Sequence, residues 1–208
     1  MADVGTLYVI AAPSGTGKTT LVEALVDSLP KITVSISHTT RPKRPKEMHG
    51  TNYYFIDKTE FARMIEHGDF LEYATIFDHL YGTSKSWVQQ TLAKGMDVIL
   101  EIDWQGHQQI KRLFPHSISI FILPPSLDEL RERLIKRNQD NPDIITKRLT
   151  DAQETVAHIN EFDYVVINDD FVSALHDLKT IIEAGCLLQP RQCGKLARLI
   201  RDLAEIGV

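Results

Sequence analysis

Long apolar runs along the chain alternate with segments whose apolar residues recur at helical spacing. Runs typical of strands buried on both faces cover residues 7–12, 96–103, 117–123 and 163–168. Segments with helical spacing cover residues 21–26, 85–94, 127–137 and 170–184. This alternation predicts an α/β protein in which a mostly parallel sheet carries helices on both faces.

A different pattern interrupts the alternation between residues 34 and 84. Short strand-like segments cover residues 33–37, 52–56, 70–74 and 80–83. Between them, residues 58–65 have apolar positions at helical spacing, with Thr59 as a candidate N-cap. We therefore predict a small α+β lobe over residues 34–84. The core into which it is inserted consists of residues 1–33, 85–125 and 149–208.

Two charged helical segments indicate a third part of the protein. The first has Ser126 as its candidate N-cap and Glu129 in the capping-box position. The second resumes at Ile144, after the polar turn at residues 138–143. We predict that these segments form a helical lid over residues 126–148.

A glycine-rich loop lies between the first predicted strand and the first predicted helix. It consists of Ala12, Pro13, Ser14, Gly15, Thr16, Gly17, Lys18 and Thr19. Glycines let the backbone turn its N–H groups toward one anion, and the N-terminus of the following helix points its partial positive charge at the same place. Lys18 would then reach the β- and γ-phosphates of a nucleotide, and the Thr19 hydroxyl would hold Mg²⁺. The pattern predicts a phosphate-binding loop; the alternative is an ordinary glycine-rich turn.

Two acids end the predicted strand over residues 96–103. Glu101 and Asp103 lie on the same side of that strand, because side chains alternate along a strand. Ligands of open α/β sheets bind beyond the carboxyl ends of the strands, so both acids would face the phosphate loop. Asp103 is therefore a candidate for holding Mg²⁺, directly or through water. The alternative is a strand-terminal acid without a function.

A basic loop follows the second predicted strand. Two prolines and a glycine exclude a helix over residues 38–50, where the cationic residues are Arg41, Lys43, Arg44 and Lys46. In a chain that is acidic overall, this concentration of charge favours a second anion site over a merely solvated loop. Arginine side chains bind phosphate through two parallel hydrogen bonds, which makes Arg41 and Arg44 the candidates.

The composition argues against several classes of function. The 208 residues carry a net charge of −5, which disfavours nonspecific nucleic-acid binding. No apolar stretch reaches the length of a membrane span, and the N-terminus lacks the regions of a signal peptide, so we predict a cytoplasmic protein without a membrane partner. Cys186 and Cys193 match no zinc or redox spacing. The tail after Leu187 is predicted to form a helix that packs on the core or on a second subunit.

Two anion sites and a lid together point to a reaction class. Arg137 and Arg148 flank the polar turn of the predicted lid and are candidate anion contacts. Phosphoryl transfer from a triphosphate to a phosphorylated acceptor fits this arrangement, because its transition state is stabilised by alignment and by charge neutralisation. An acceptor phosphate is already anionic and needs no general base. Closure would exclude water from the reacting groups.

Further motifs recur along almost the whole chain beside the loop at residues 12–19. They are Ser37-His38-Thr39-Thr40-Arg41-Pro42 with Arg44, Gly50-Thr51-Asn52-Tyr53, Phe70-Leu71-Glu72, Tyr81-Gly82-Thr83, Ile102-Asp103-Trp104-Gln105-Gly106, Lys147-Arg148-Leu149 and Val166-Ile167-Asn168-Asp169. Together these motifs resemble those of guanylate kinases, and bacterial members are the most similar in length. The resemblance implies a P-loop core with a GMP-binding lobe and a lid. It also implies transfer of the γ-phosphoryl group of ATP to GMP or dGMP, with Mg²⁺.

The resemblance also implies roles for residues at matching positions. ATP would be bound by the loop residues 12–19, Thr20 and Asn168. GMP would be bound by Ser37, Arg41, Arg44, Tyr53, Glu72, Tyr81, Gly82, Thr83 and Glu101, the last of which stands where the family usually has aspartate. The transferring phosphoryl group would be neutralised by Lys18, Arg41, Arg137 and Arg148. Mg²⁺ would be held by Thr19 and Asp103.

The chemistry of guanine agrees with the role that the resemblance gives Glu72. A carboxylate accepts hydrogen bonds from guanine N1–H and from the exocyclic amine together, and a hydroxyl, from Ser37 or Thr83, can donate to O6. Adenine presents an acceptor at N1 and a donor at position 6, which leaves each contact unpaired or repulsive. A site of this kind rejects the wrong base by about 10⁴-fold.

Three rival interpretations remain beside this one. A noncatalytic guanylate-kinase-like binding module would normally lack loop residues that this chain retains, Lys18 and Thr19. A GTPase switch would carry an Asn-Lys-x-Asp motif, which is missing here. A kinase acting on a ribose bisphosphate would have no use for residues that read a base.

Overall fold

Two sheets organise the chain in the computed structural model, which describes residues 4–136 and 142–205. The strands are β1 Leu7–Ala11, β2 Ile32–Val34, β3 His38–Thr39, β4 Tyr54–Phe55, β5 Phe70–Ile76, β6 His79–Ser84, β7 Asp97–Glu101, β8 Ile118–Leu123 and β9 Tyr164–Ile167. The helices are α1 Lys18–Ser28, α2 Lys58–Glu66, α3 Lys85–Ala93, α4 Trp104–Leu113, α5 Leu127–Lys136, α6 Pro142–Ala157, α7 Phe171–Gly185, α8 Gln189–Lys195 and α9 Ala197–Ala204. A short 3-10 helix spans Ile159–Glu161.

The core sheet is parallel throughout, with the strand order β2-β7-β1-β8-β9. All five residues of its central strand β1 are buried, as expected for a strand covered on both faces. Tyr8 and Ile10 pack on one face against residues of α1 and α7, whereas Leu7 and Val9 pack on the other face against residues of α3 and α4. The prediction of a parallel-sheet core with helices on both faces is confirmed.

The second sheet has the order β4-β3-β6-β5 and lies within residues 38–84. Strands β5 and β6 form an antiparallel hairpin, and the register places Glu72 opposite Thr83. Helix α2 covers this sheet through Phe61, whose ring lies 4.5 Å from that of Phe70. The hairpin therefore brings together two residues that are eleven positions apart in the sequence.

Several element boundaries differ from the sequence-based predictions. The N-cap of α2 is not Thr59 but Asp57, whose carboxylate accepts the Glu60 N–H at 2.8 Å. Strand β2 ends at Val34, because the chain then leaves the core sheet to reach β3. The capping position of Ser126 is confirmed, since its hydroxyl accepts the Glu129 N–H at 3.1 Å.

The tail forms two helices, α8 and α9, rather than the single helix predicted. A buried ion pair attaches α8 to the core, with Arg191 2.7 Å from the carboxylate of Asp97. The backbone N–H of Thr6 donates to the same carboxylate oxygen at 2.7 Å. Helix α9 instead leaves Leu199 and Leu203 more than half exposed. Within the described ranges, no helix is both long and apolar enough to cross a bilayer.

The buried histidine of α4 gives a prediction about stability. His107 is 1% exposed, stacks on Phe162 at 4.1 Å, and neither ring nitrogen has a hydrogen-bond partner among the described residues. Burial and the nearby Lys111 lower the pKa of the imidazole. The unfolded chain therefore binds a proton first on acidification, and stability is lost as the pH falls through the unfolded pKa of about 6.5.

We expect His107→Leu to raise the free energy of unfolding by about 1 kcal/mol at pH 8, because it removes a buried polar group without partners. The gain should increase at pH 5.5, where protonation of His107 in the unfolded chain lowers the stability of wild type relative to the variant. Denaturant unfolding at the two pH values measures both effects. His116→Leu, at an exposed position, is the control. An equal loss between pH 8 and pH 5.5 in wild type and His107→Leu would contradict the assignment.

Candidate active site

The glycine-rich loop forms a tight turn between β1 and α1. Gly15 and Gly17 have φ values of 96° and 94°, which are readily accessible only to glycine. The Thr16 hydroxyl donates to the Pro13 carbonyl oxygen at 2.7 Å, which closes the turn from inside. Lys18 is the first residue of α1, so the loop ends at the N-terminus of a helix, as an anion cradle requires.

Asn168 lies directly against this loop. Its side-chain amide donates to the Thr16 carbonyl oxygen at 2.7 Å, and an added Cβ at Gly17 would lie 2.7 Å from that amide nitrogen. Arg133 of α5 donates to the carbonyl oxygens of Asn168 and Thr16, at 3.2 and 3.4 Å. Asn168 thus supports the loop backbone, and Arg133 is a loop contact for which the sequence gives no local signal.

Lys18 and two acids lie at the mouth of the loop. The Lys18 ammonium is 3.5 Å from the Ile10 carbonyl oxygen. Burial lowers the pKa of this ammonium, while the negative charges of Glu101 and Asp103 act in the opposite direction. The ammonium therefore interacts electrostatically with both carboxylates. These groups lie beyond the carboxyl ends of the strands, as the sequence predicts.

Thr19 contacts one of these acids. Its hydroxyl donates to the Glu101 carboxylate at 3.2 Å, and Thr19 itself is exposed to solvent. Thr20, the next residue in the first turn of α1, is also exposed. The resemblance assigns Glu101 to GMP binding, and in this structure its carboxylate bonds to the loop residue Thr19.

Asp103 is the N-cap of α4, a helix that the sequence pattern does not reveal. Its carboxylate accepts the Gly106 N–H at 2.9 Å. Burial raises the pKa of Asp103, while the Gly106 N–H and the charge of Lys18 lower it. The cap fixes the carboxylate in front of the phosphate loop.

The oxygen donors at this position fit Mg²⁺. The donor set contains the Thr19 hydroxyl and the carboxylates of Glu101 and Asp103, and no softer sulfur ligand. Magnesium prefers hard oxygen ligands and is typically bound by one or two protein oxygens together with phosphates and water. In the part of the chain that the structure describes, there is no cluster of three or more His, Cys, Asp or Glu side chains suited to a metal ion.

Glu72 and Thr83 form a buried polar pair on the β5–β6 hairpin. Glu72 is 3% exposed and Thr83 is fully buried, and the Thr83 hydroxyl donates to Glu72 Oε1 at 2.6 Å. Burial raises the pKa of Glu72 to about 7, with a smaller contribution from the charge of Asp103, and the bond from Thr83 opposes this rise. The pair is close enough to Asp103 for the charge of that residue to act on Glu72.

Other residues predicted to bind GMP lie in or next to the strands of the same sheet. Ser37 lies between β2 and β3, where its carbonyl oxygen accepts the Tyr54 N–H at 2.9 Å. Gly82 of β6 leaves room for the ring of Phe70, since an added Cβ would lie 2.8 Å from that ring. The rings of Tyr53 and Tyr81 are 5.9 Å apart. Burial raises the pKa of Tyr53 to about 12, so its hydroxyl remains a hydrogen-bond donor.

Arg41 is already paired with an acid from its own loop. Its guanidinium binds both oxygens of Glu47, at 3.1 and 2.7 Å, and lies 5.4 Å from the centre of the Tyr53 ring. The Arg44 N–H donates to the same carboxylate at 2.8 Å, whereas the Arg44 side chain is exposed. Burial of Glu47 opposes its ionisation, but the bonds from Arg41 and Arg44 outweigh it and lower the pKa. The sequence gives no signal for this pairing.

The predicted lid arginines are only partly described. Arg137 lies outside the described residues, and Arg148 is in α6. The neighbouring Lys147 ammonium lies 5.4 Å from the centre of the Phe77 ring at the tip of the β5–β6 hairpin. Helix α6 therefore contacts the hairpin that carries Glu72.

Comparisons with known proteins identify the family of this chain. A family model described as guanylate kinase matches residues 4–185. Guanylate kinase of Alcanivorax borkumensis is 55% identical over 203 residues, with 98% of both chains covered. Guanylate kinase of Coxiella burnetii is 56% identical over 199 residues, which cover 96% of this chain and 97% of that one. The crystal structure of guanylate kinase from Anaplasma phagocytophilum has a TM-score of 0.77 at 31% identity and covers 92% of this chain and 91% of its own. The matches extend over nearly the whole length of the chain, and this chain belongs to the guanylate kinase family.

Proposed function

We propose that this protein is an ATP:GMP phosphotransferase that converts ATP and GMP, or dGMP, to ADP and GDP, or dGDP, with Mg²⁺. The observation that carries the proposal is the buried pair of Glu72 and Thr83, which lies against the end of α4 that Asp103 caps. The Glu72 carboxylate can accept from the two N–H donors of guanine, and the Thr83 hydroxyl holds that carboxylate through Oε1. If the acceptor were a ribose bisphosphate, or if the protein were a purely structural module, this pair would have no ligand to bind.

On the donor side, the residues of the loop bind and neutralise the triphosphate. Backbone N–H groups of residues 14–19 and the N-terminus of α1 would surround the β-phosphate, and Lys18 would reach the β- and γ-phosphates. Mg²⁺ held by Thr19 and Asp103 supplies further neutralisation of the phosphate charge when it is bound. The bond from Thr19 to Glu101 keeps its hydroxyl at the mouth of the loop.

On the acceptor side, Arg41, Arg44, Tyr53 and Tyr81 are proposed to hold the phosphate of GMP. Glu47 keeps the Arg41 guanidinium extended across the Tyr53 ring. An incoming phosphate would meet a guanidinium that is already oriented, which lowers the entropic cost of binding. Arg137 and Arg148 would complete the neutralisation of the transferring group as the lid closes.

The division of the chain into parts is proposed on the same basis. Residues 34–84 would form the GMP-binding lobe, residues 126–148 the lid, and residues 1–33, 85–125 and 149–208 the core. Closure of the lobe and the lid on the core would exclude water from the phosphoryl group. We also propose that the enzyme acts in the cytoplasm.

A coupled assay of ADP formation tests the proposal. ATP and Mg²⁺ are offered with GMP, dGMP, AMP or no acceptor. We expect turnover with GMP and dGMP and at least about 10³-fold less with AMP. Absence of turnover with every acceptor, together with measurable GMP binding, would favour a noncatalytic binding module. Equal rates with GMP and AMP would contradict base reading by Glu72.

A further inference from the structure

Gly106 of α4 lies directly against the carboxylate of Glu72. An added Cβ at Gly106 would be 2.5 Å from Glu72 Oε2 and 3.2 Å from its Cδ. Gly106 is buried in the first turn of α4, and its N–H is bound by the Asp103 cap. The Glu72 carboxylate therefore occupies the space that a side chain at position 106 would fill.

Glu72 has no simple way to withdraw from a side chain at position 106. Its other oxygen, Oε1, accepts the Thr83 hydroxyl at 2.6 Å. Rotation of the carboxylate away from α4 would break this bond, and the group is only 3% exposed. An unpaired buried carboxylate is costly, so the carboxylate would be displaced rather than simply turned.

Helix α4 cannot easily move away from Glu72 either. Gln109, one turn after Gly106, binds the backbone on both sides of Tyr73, the residue that follows Glu72. Its Oε1 accepts the Tyr73 N–H at 3.2 Å, and its Nε2 donates to the Tyr73 carbonyl oxygen at 2.8 Å. These two bonds tie α4 to β5 at the position of Glu72.

We propose that Gly106 and Gln109 are positioning residues that set the carboxylate geometry with which Glu72 reads guanine. Gly106 provides the space for Oε2, and Gln109 holds the helix and the strand at a fixed separation. Because the same turn of α4 is capped by Asp103, the base-reading and donor sites are joined through one helix end. This inference rests on the proposed GMP phosphorylation and names residues that act through Glu72 rather than on substrate.

The test compares Gly106→Ala with Gly194→Ala. Position 194 is also helical, and an added Cβ there has no described atom within 4 Å, so it serves as a matched control. We expect Gly106→Ala to raise the KM and Kd for GMP by about tenfold to 100-fold, because small displacements of a binding group have effects of this size. The KM for ATP should stay within twofold. Gly194→Ala should leave all three constants unchanged.

A double variant separates positioning from general destabilisation. Glu72→Asp shortens the side chain by one methylene and withdraws its carboxylate from position 106. The loss of GMP affinity in Gly106→Ala/Glu72→Asp should therefore be smaller than the product of the two single losses. Gln109→Ala should also weaken GMP binding selectively.

The outcomes distinguish this inference from the proposed function. If wild type does not phosphorylate GMP, the proposed function fails, while calorimetric Kd values still test the role of Gly106. An unchanged Kd for GMP in Gly106→Ala would overturn the inference whether or not the enzyme turns over. A parallel loss of GMP and ATP affinity, with multiplicative effects in the double variant, would also overturn it.

Discussion

Lys18→Met is expected to lower kcat by about 10³-fold or more while the protein remains folded, because charge stabilisation of a transferring phosphoryl group contributes on this scale. Lys18 is the cation of the phosphate loop, and its burial lowers its pKa. Two nearby acids, Glu101 and Asp103, favour the charged form. Methionine keeps the length and apolar stem of the side chain but removes the charge.

The fold should tolerate this change. The ammonium is 3.5 Å from the Ile10 carbonyl oxygen, which is a long contact, so little hydrogen-bond energy is lost. We expect the free energy of unfolding to change by less than about 1 kcal/mol. Steady-state kinetics with saturating GMP and denaturant unfolding measure the two effects. Lys94→Met, at an exposed position, is the control. A Lys18→Met enzyme with more than a tenth of wild-type kcat would refute the assignment.

Local signals are enough to predict the phosphate loop and the core strands. The two glycines with positive φ, the following Lys18 and the apolar run of β1 are contiguous in the sequence. The strand pattern is strong because β1, β7 and β8 are buried on both faces and therefore read as nearly continuous apolar runs. The fold class and the phosphate loop are therefore predictable from contiguous sequence patterns.

Helix α4 shows where local signals fail. Its buried face consists of Gly106, His107 and Ile110, of which only one is a large apolar residue. The apolar periodicity is accordingly weak, and Asp103 reads as the end of a strand rather than as the cap of a helix. The helix is specified instead by its cap and by long-range contacts from Gln109 to β5.

Contacts between distant segments explain the remaining differences. Glu47 pairs with Arg41 only because the basic loop folds back on itself, and Arg133 reaches Thr16 across 117 residues. Neither pairing leaves a periodic trace in the sequence. The residue types of the site are therefore predictable from the sequence, but the groups with which its charged side chains pair are not.

Glu72→Gln is expected to abolish guanine selectivity and, at the same time, to stabilise the fold. Glutamine has nearly the same shape, and its carbonyl oxygen can still accept the Thr83 hydroxyl. Its amide nitrogen, however, is a donor that faces the N–H groups of guanine. We expect the KM for GMP to rise by at least about 10²-fold, with the KM for ATP unchanged. The same steady-state assay measures both constants, with Glu66→Gln on the exposed face of α2 as control.

The stability gain follows from the raised pKa of Glu72. Burial raises this pKa from 4.5 to about 7. The folded state thus binds more protons at Glu72 than the unfolded state does between these values, so the contribution of Glu72 to stability falls as the pH rises from 4.5 to 7. This pKa shift corresponds to a loss of about 3 kcal/mol of stability at pH values above 7. Denaturant unfolding at pH 8 should show a gain of this order in Glu72→Gln, which should shrink toward pH 4.5.

The same titration predicts a pH dependence of GMP use. Only the ionised Glu72 accepts both guanine N–H groups, so the KM for GMP in wild type should rise about tenfold between pH 8 and pH 6. The phosphate of GMP also titrates in this range, but its contribution is common to both enzymes. The Glu72→Gln enzyme should therefore keep the part of this pH dependence that comes from the phosphate of GMP and lose the part that comes from residue 72. If the two enzymes had parallel pH profiles and equal stability at pH 8, the buried carboxylate would not be the group that reads guanine.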